Sequence, residues 1–216
     1  MNKHISREFA QNYDAYSKEN NWSSPNVLFN LSIEYLNKNE LLLDIGIGTG
    51  LSAEPFKKAG LKIYGLDNSE HMLEICASKN MSGIIKLHDI NNLPLPFPNQ
   101  MFDCIIANGL FHLTGYIESL FGDIKRLLKR NSIFAFTIEK YEAINTNDYS
   151  NSEIAGIWYK YNDEYDFYTY KHSHEYIIEL LKKLNFSNLK ILDFCAFKSI
   201  SENRDVDFRA YINKLN

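Results

Sequence analysis

Apolar residues are distributed along the chain in two rhythms. Leu41-Leu42-Leu43, Cys104-Ile105-Ile106-Ala107 and Ile133 to Ile138 are short runs with little or no polar break. Runs of this length, bounded by turn residues, predict parallel strands covered on both faces. Elsewhere the apolar residues recur every three to four positions: Val27, Leu28, Leu31, Ile33, Tyr35 and Leu36, then Met72, Leu73, Ile75 and Cys76, then the segment 117–128. That spacing predicts helices that bury one face. Ser24-Pro25, Ser69 and Ser173 stand where helices should begin, each hydroxyl being a ready partner for the first free N–H groups. Residues 189–197 and 206–212 read as two strands joined by a polar turn region over 201–205. Strands alternating with helices predict an α/β fold on a mostly parallel sheet.

The first strand runs into Asp44-Ile45-Gly46-Ile47-Gly48-Thr49-Gly50. Glycines on alternate positions let the backbone turn tightly and come close to a ligand, because φ > 0 is open to them and no Cβ intervenes. Residues 51–59 read as a helix whose free N–H groups face the same point, so strand, loop and helix make a nucleotide-type pocket. A dinucleotide fingerprint would need a glycine or alanine where Leu51 stands, which weakens an NAD reading. Residues 61–67 form a short strand ending in Asp67, roughly 20 residues beyond the loop, the distance at which an acid accepts from ribose hydroxyls. A third strand, residues 84–90, ends in Asp89-Ile90. Leu93-Pro94-Leu95-Pro96-Phe97-Pro98 is too rich in proline for a helix, and it delivers the chain into a strand over 103–107, followed by Asn108 and a segment containing His112.

Asp44-x-Gly46-x-Gly48-x-Gly50 resembles motif I of the class I S-adenosylmethionine-dependent methyltransferases. The stretch from Leu93-Pro94 to Phe102-Asp103, with its His-containing continuation, is similar to that of their type 11 small-molecule group. The resemblance covers residues 40–140. It implies a Rossmann-like, doubly wound, mostly parallel seven-stranded sheet with an antiparallel last strand and helices on both faces. It also implies S-adenosyl-L-methionine as cofactor and S-adenosyl-L-homocysteine as product. The cofactor residues that follow are Asp44, Gly46, Gly48 and Gly50 in the loop, Asp67 and Asn68 at the ribose, Asp89 and Ile90 at the adenine, and Asn108 at the end of the fourth strand. The segment from Phe9 to Tyr16 resembles the N-terminal piece that closes over the cofactor. Tyr13 and Tyr16, three apart on one helical side, read either as packing aromatics or as cofactor contacts.

At 216 residues, 45% hydrophobic and 23% charged, the chain suits one well-buried α/β domain over 1–216, with a helical cap over about 1–38 and a lid over about 140–172. A net charge of −4 and the lack of a Lys/Arg cluster disfavour a nucleic-acid partner. No signal-peptide core opens the chain and no stretch reaches membrane-spanning length, so no membrane partner and a cytoplasmic location are expected. Cys76, Cys104 and Cys195 read as core thiols, and no metal is expected from their spacing or from that of His172 and His174.

Residues 140–172 hold many aromatics among Asn and Asp. An insertion here hangs over the carboxyl ends of the strands, which makes it a natural substrate lid. Tyr141, Trp158, Tyr168, Tyr170 and His172 are the candidate acceptor contacts, the other reading being that the rings form the lid's own small core. Methyl transfer from a sulfonium needs in-line placement in a dry pocket, and a base only if the acceptor must lose a proton. His112 is the candidate base, its alternative role being to hold the loop. After the fourth strand, Asn108-Gly109-Leu110-Phe111 lacks the paired prolines of enzymes acting on adenine or glutamine amino groups, and no Pro-Cys marks cytosine chemistry. A small-molecule O, N or C acceptor is therefore expected. The competing readings are a catalytically silent binding module for regulation or assembly, and an NAD-dependent enzyme.

Overall fold

The computed structural model describes residues 5–81, 83–140, 149–162, 167–199 and 204–216. The chain opens with α1 (Arg7–Glu19), whose first turn is closed by Ser6 accepting from the Phe9 N–H at 3.1 Å, and α2 (Ser24–Ser32). β1 (Leu41–Ile45), α3 (Glu54–Lys58), β2 (Lys62–Asp67), α4 (Glu70–Ser78) and β3 (Ile85–Leu87) follow. After the proline-rich stretch come β4 (Phe102–Asn108), α5 (Ile117–Leu127) and β5 (Leu128–Glu139). β6 (Ser150–Asn151), β7 (Ile157–Asn162) and β8 (Phe167–His172) form a separate three-stranded antiparallel sheet. α6 (His174–Lys183) then leads into β9 (Phe186–Ser199) and β10 (Arg204–Leu215).

The seven-stranded main sheet has the order β3-β2-β1-β4-β5-β10-β9. β1 pairs in parallel with β2 and β4, so that Leu43 lies between Tyr64 and Ile105. The last strand in sequence, β10, runs antiparallel to both β5 and β9, as the resemblance implies, and lies one place in from the edge. The winding reverses between β1 and β4, and a crevice opens beyond the carboxyl ends of strands at such a point.

Helices cover both faces of the sheet because its strands are apolar on both. On one face α5 and α6 bury Leu120, Phe121, Ile124, Leu127, Ile177 and Leu181 against Ile105, Phe134 and Phe136. On the other, Leu28 of α2, Phe56 of α3 and Cys76 of α4 cover Leu42, Ile63 and Ile106. Phe121 is fully buried, with its ring centroid 5.1 Å from Phe111, 5.0 Å from Phe134 and 5.3 Å from Phe136.

Several elements differ from the sequence expectation, each for a local reason. The helix expected over 51–59 is confined to Glu54–Lys58, because residues 49–53 are turns that continue the glycine loop and Pro55 can stand only in a first turn. α2 is capped one residue early: Ser23 is its N-cap residue, its hydroxyl donating to the Cys195 carbonyl at 2.8 Å, while Ser24 is buried inside the helix. The third strand is only Ile85–Leu87; Asp89 is already in a turn, accepting from the Asn91 N–H at 2.9 Å. The last two strands are longer than expected at both ends. Cys76 and Cys104 are buried thiols, but Cys195 is exposed, because it lies on β9, the uncovered edge strand.

Phe121 stitches α5 to the sheet and to Phe111, so Phe121→Ala should lose about 3–5 kcal/mol of stability, read as a lower midpoint in urea unfolding. A loss below about 1 kcal/mol would mean that the site collapses around the gap and that the ring cluster is not the keystone of that face.

Candidate functional site

The crevice beyond β1 and β4 is a cavity of about 230 Å³. Its floor is the glycine loop. Gly46 and Ile47 both donate their N–H groups to the Leu66 carbonyl, at 2.8 and 2.9 Å, which ties the loop to β2. Gly46, Gly48 and Gly50 have φ of +73°, +53° and +89°, the left-handed region that glycine enters without cost. Their surroundings differ. A Cβ on Gly46 would fall 2.8 Å from Leu110 and one on Gly50 2.6 Å from Met81, so these two glycines serve packing. A Cβ on Gly48 would meet nothing within 4 Å, because this residue faces the open cavity.

Asp67, at the carboxyl end of β2, holds the loop from the side. Its Oδ2 accepts from the Gly48 N–H and its Oδ1 from the Ser69 N–H, both at 2.8 Å. Burial raises its pKa in spite of those bonds. Asp44 is 1% exposed, and its Oδ2 has no hydrogen-bond partner. Burial, reinforced by the neighbouring Asp67, lifts its carboxyl well above the usual range. Asp44, buried, and Asp67, half-buried, therefore sit behind the loop without lining the cavity, and among the described residues no Lys or Arg lines it.

Asn108 ends β4 and lines the cavity, but its amide is engaged within the protein. Its Oδ1 accepts from the Ser24 and Thr137 hydroxyls, each at 2.5 Å, and its Nδ2 donates to Ser52 Oγ at 2.8 Å. Asn108 thus fastens α2 and β5 to the residues that follow the glycine loop. Gly109 comes next, with φ +61°, and a Cβ there would stand 3.4 Å from Trp22. His112, in the 3-10 turn Phe111–Leu113, completes this wall, and burial pushes its pKa down to about 4.

α1 forms the roof. Tyr13 is half-buried and Tyr16 is 59% exposed at the mouth, and both line the cavity. Asp14 latches the helix down, its Oδ1 accepting from the Thr49 hydroxyl and its Oδ2 from Lys79 Nζ, both at 2.5 Å. The remaining wall is Trp22 with Phe197 of β9 and Phe208 of β10, ring centroids 5.5 and 5.3 Å from the indole.

The aromatic wall is therefore not the one expected. Trp158, Tyr168, Tyr170 and His172 do not line the cavity, and Tyr141 lies outside the described residues. β8 packs instead against the 3-10 turn that carries His112. His174 bonds the Tyr211 hydroxyl at 3.0 Å. Asn68 is exposed beside Asp67, and Asp89 and Ile90 lie beyond the cavity lining, Ile90 packing against the core. Trp22, Phe197 and Phe208 carry no local signal in the sequence, since only the pairing of β9 with β10 brings them to the loop. Among the described residues, no cluster of His, Cys, Asp or Glu is placed to hold a metal, and no helix is long and apolar enough to cross a membrane.

Comparison with known proteins agrees with this geometry. The family model described as "Methyltransferase domain", of the type 11 group, matches residues 43–136, from β1 into β5. An uncharacterized protein of Methanocaldococcus jannaschii is 27% identical over 205 residues, covering 94% of this chain and 90% of that one. The chain spans about half or less of the length of the curated methyltransferases it matches. Among solved structures, the putative methyltransferase in complex with the Haloferax volcanii Trm112 methyltransferase activator superposes with a TM-score of 0.75 at 13% identity, covering 96% of both chains. The Burkholderia thailandensis 1,6-didemethyltoxoflavin-N1-methyltransferase, with its substrate and S-adenosylhomocysteine bound, superposes with a TM-score of 0.68 at 13% identity, covering 97% of this chain and 86% of that one. The spacing of its glycine loop and Asp67, the order of its sheet and the methyltransferase domain matched over residues 43–136, a little under half of the chain, make this protein similar to the class I S-adenosylmethionine-dependent methyltransferases of the type 11 group.

Proposed function

We propose that the chain, as one domain roofed by α1, transfers a methyl group from S-adenosylmethionine to an O, N or C atom of a small, uncharged acceptor. The observation that carries this reading is the cavity lining: aromatic rings, glycines, hydroxyls and amides join the loop to His112, and among the described residues no Lys, Arg, Asp or Glu lines it. A phosphate or carboxylate on the acceptor would lose its hydration there and find no cation in return. The same lack argues against a polyanionic substrate and against the diphosphate of NAD.

The cofactor fits the charge of the site. S-Adenosylmethionine brings an ammonium and a sulfonium, and the acids behind the loop, buried Asp44 with an unpartnered oxygen and half-buried Asp67, are short of positive charge. Asp67 would take the ribose, with lone pairs left after its bonds to Gly48 and Ser69, and Gly48 would leave room for the methionine end. Tyr13 and Tyr16 would close over it. When bound, the cofactor supplies the methyl group and a leaving thioether. The protein's part is to align the acceptor with the methyl group and keep water out. Trp22, Phe197 and Phe208 would hold a flat acceptor, while Tyr168 and Trp158 of the lid sheet would act from outside the cavity. His112 is neutral, so its ring can accept a hydrogen bond from the acceptor, but a group with a pKa of about 4 is a weak base. It therefore orients the acceptor more than it deprotonates it.

The test is to incubate the chain with methyl-labelled S-adenosylmethionine and a cell extract, then to separate macromolecules, charged small molecules and neutral small molecules. Label in the neutral small-molecule fraction is expected; label confined to RNA, protein or ion-exchange-retained compounds would overturn the acceptor assignment.

For the cofactor seat, Gly48→Ala should fold, at a cost of about 1–2 kcal/mol for a left-handed alanine, yet lose at least about tenfold in S-adenosylhomocysteine affinity by calorimetry. Affinity retained by the folded variant would move the methionine end elsewhere.

A pH dependence follows from the buried histidines. His112 and His172 are both pushed down from 6.5 to about 4, chiefly by burial. The unfolded chain therefore takes up protons between pH 6.5 and 4 that the folded chain refuses, so this contribution is complete above pH 6.5 and is lost as the pH falls towards 4. Asp44, raised by burial, works in the opposite direction, so the informative quantity is a difference. The stability advantage of the wild type over His172→Gln should shrink by about 2–3 kcal/mol between pH 7 and pH 4 in urea titrations. A constant difference would mean that His172 is not held neutral.

A further inference from the structure

The aromatic and histidine residues of β8 do not reach the cavity, but they grip the segment that does. Residues 170 and 172 share one face of the strand, two positions apart. Both point to Thr114-Gly115, which directly follows the turn carrying His112. The Tyr170 ring lies flush on Gly115: a Cβ there would fall 2.5 Å from Tyr170 Cε1 and 2.8 Å from Cδ1, so this approach is open to glycine alone. His172 is 3% exposed, its ring beside the backbone of Gly115 and Thr114. Its Nε2 has no hydrogen-bond partner, which leaves Nδ1 as the ring's polar group towards that backbone. Between them Lys171, 4% exposed, forms an ion pair with Glu139 at the end of β5. Ser173, just after β8, donates its N–H to the carbonyl of Gly156, just before β7, at 2.7 Å. β8 is thus anchored to the main sheet through Lys171 and closes on the β4–α5 connection through its two neighbours.

We propose that Tyr170 and His172 are positioning residues that clamp Thr114-Gly115 between them and so fix where the His112 ring stands in the acceptor cavity. The proposal rests on the reading above that His112 faces the acceptor. A polar contact to buried backbone is costly to remove, because the backbone cannot regain water; the buried Phe111 ring anchors the start of the 3-10 turn, while beyond it the segment has its own backbone bonds, Leu113 N–H to the Leu110 carbonyl at 3.0 Å and Thr114 N–H to the Phe111 carbonyl at 3.4 Å. The lid sheet therefore acts on the reaction without touching the acceptor. A change in the lid is felt as a change in the angle of one imidazole.

The experiment uses the full chain with S-adenosylhomocysteine and follows the ring resonances of His112 and the backbone amides of Thr114 and Gly115 by NMR. His172→Phe keeps a ring of similar size but removes the polar nitrogen. It is expected to shift and split the His112 resonances while leaving S-adenosylhomocysteine affinity unchanged, and His172→Gln, which restores a polar group, should return a single His112 environment. Should His172→Phe fail to fold, Tyr170→Leu gives the same reading from the other jaw: the His112 and Gly115 signals should move together. His112 resonances unmoved in a folded variant, or movement that glutamine does not reverse, would overturn the clamp. Because the readout needs no acceptor, failure of the clamp is distinct from failure of the acceptor assignment, which would show only in the labelling experiment.

Discussion

The hydrogen bond from the Gly48 N–H to the Asp67 carboxylate, with its companion bonds from Gly46 and Ile47 to the Leu66 carbonyl, is the constraint on which the rest of the site depends. These contacts require β1 and β2 to lie parallel in one register, with Ile45 opposite Leu66, so that the loop leaving β1 meets the end of β2. A half-buried acid bonded to two backbone N–H groups holds them in place, because releasing it would leave the part-buried amides short of partners. The apolar runs that build the sheet thus also set the geometry of the loop. Gly48 is left with its face open to the cavity.

A second constraint works from the other side of the crevice. Asn108 draws Ser24, Thr137 and Ser52 into one buried network, so α2, β5 and the residues after the loop hold a common position. The loop is thus held on both flanks by polar groups, Asp67 on one side and Asn108 on the other. The roof is held more lightly. Asp14 bonds Thr49 and Lys79 at a partly exposed site, and Arg7 meets Glu74 at 3.2 Å in solvent. Exposed ion pairs contribute about 1 kcal/mol or less each, so these contacts add less to the hold on α1 than the buried Ala10 and Ser17 on its inner side.

How much of this was legible depended on how local each feature is in the chain. The glycine loop, Asp67 and the capping serine at 69 are set by neighbours within a few residues, and their spacing alone located them. The apolar runs likewise marked β1, β4 and β5, the middle of the parallel half. The aromatic wall was not legible, because Trp22, Phe197 and Phe208 come from opposite ends of the chain and meet only when β9 and β10 pair. The lid misled for a related reason. Its aromatics were visible as a composition, but composition does not say which face of a strand a ring will take, and β8 turns Tyr170 and His172 towards Gly115 and away from the cavity. Cys195 is exposed for the same reason: an edge strand reads like a central one until its neighbours are known.

The central claim is that the cofactor sits between the glycine loop, Asp67 and the underside of α1. Amide hydrogen exchange with and without S-adenosylhomocysteine tests it most directly, since protection reports where a ligand closes the structure. The account predicts slowed exchange at Gly46 to Thr49, at Asn68 and Ser69, and along α1 from Tyr13 to Asn20, with no change when NAD is added instead. Protection confined to another surface, or a loop and α1 that exchange as fast with S-adenosylhomocysteine as without it, would contradict it.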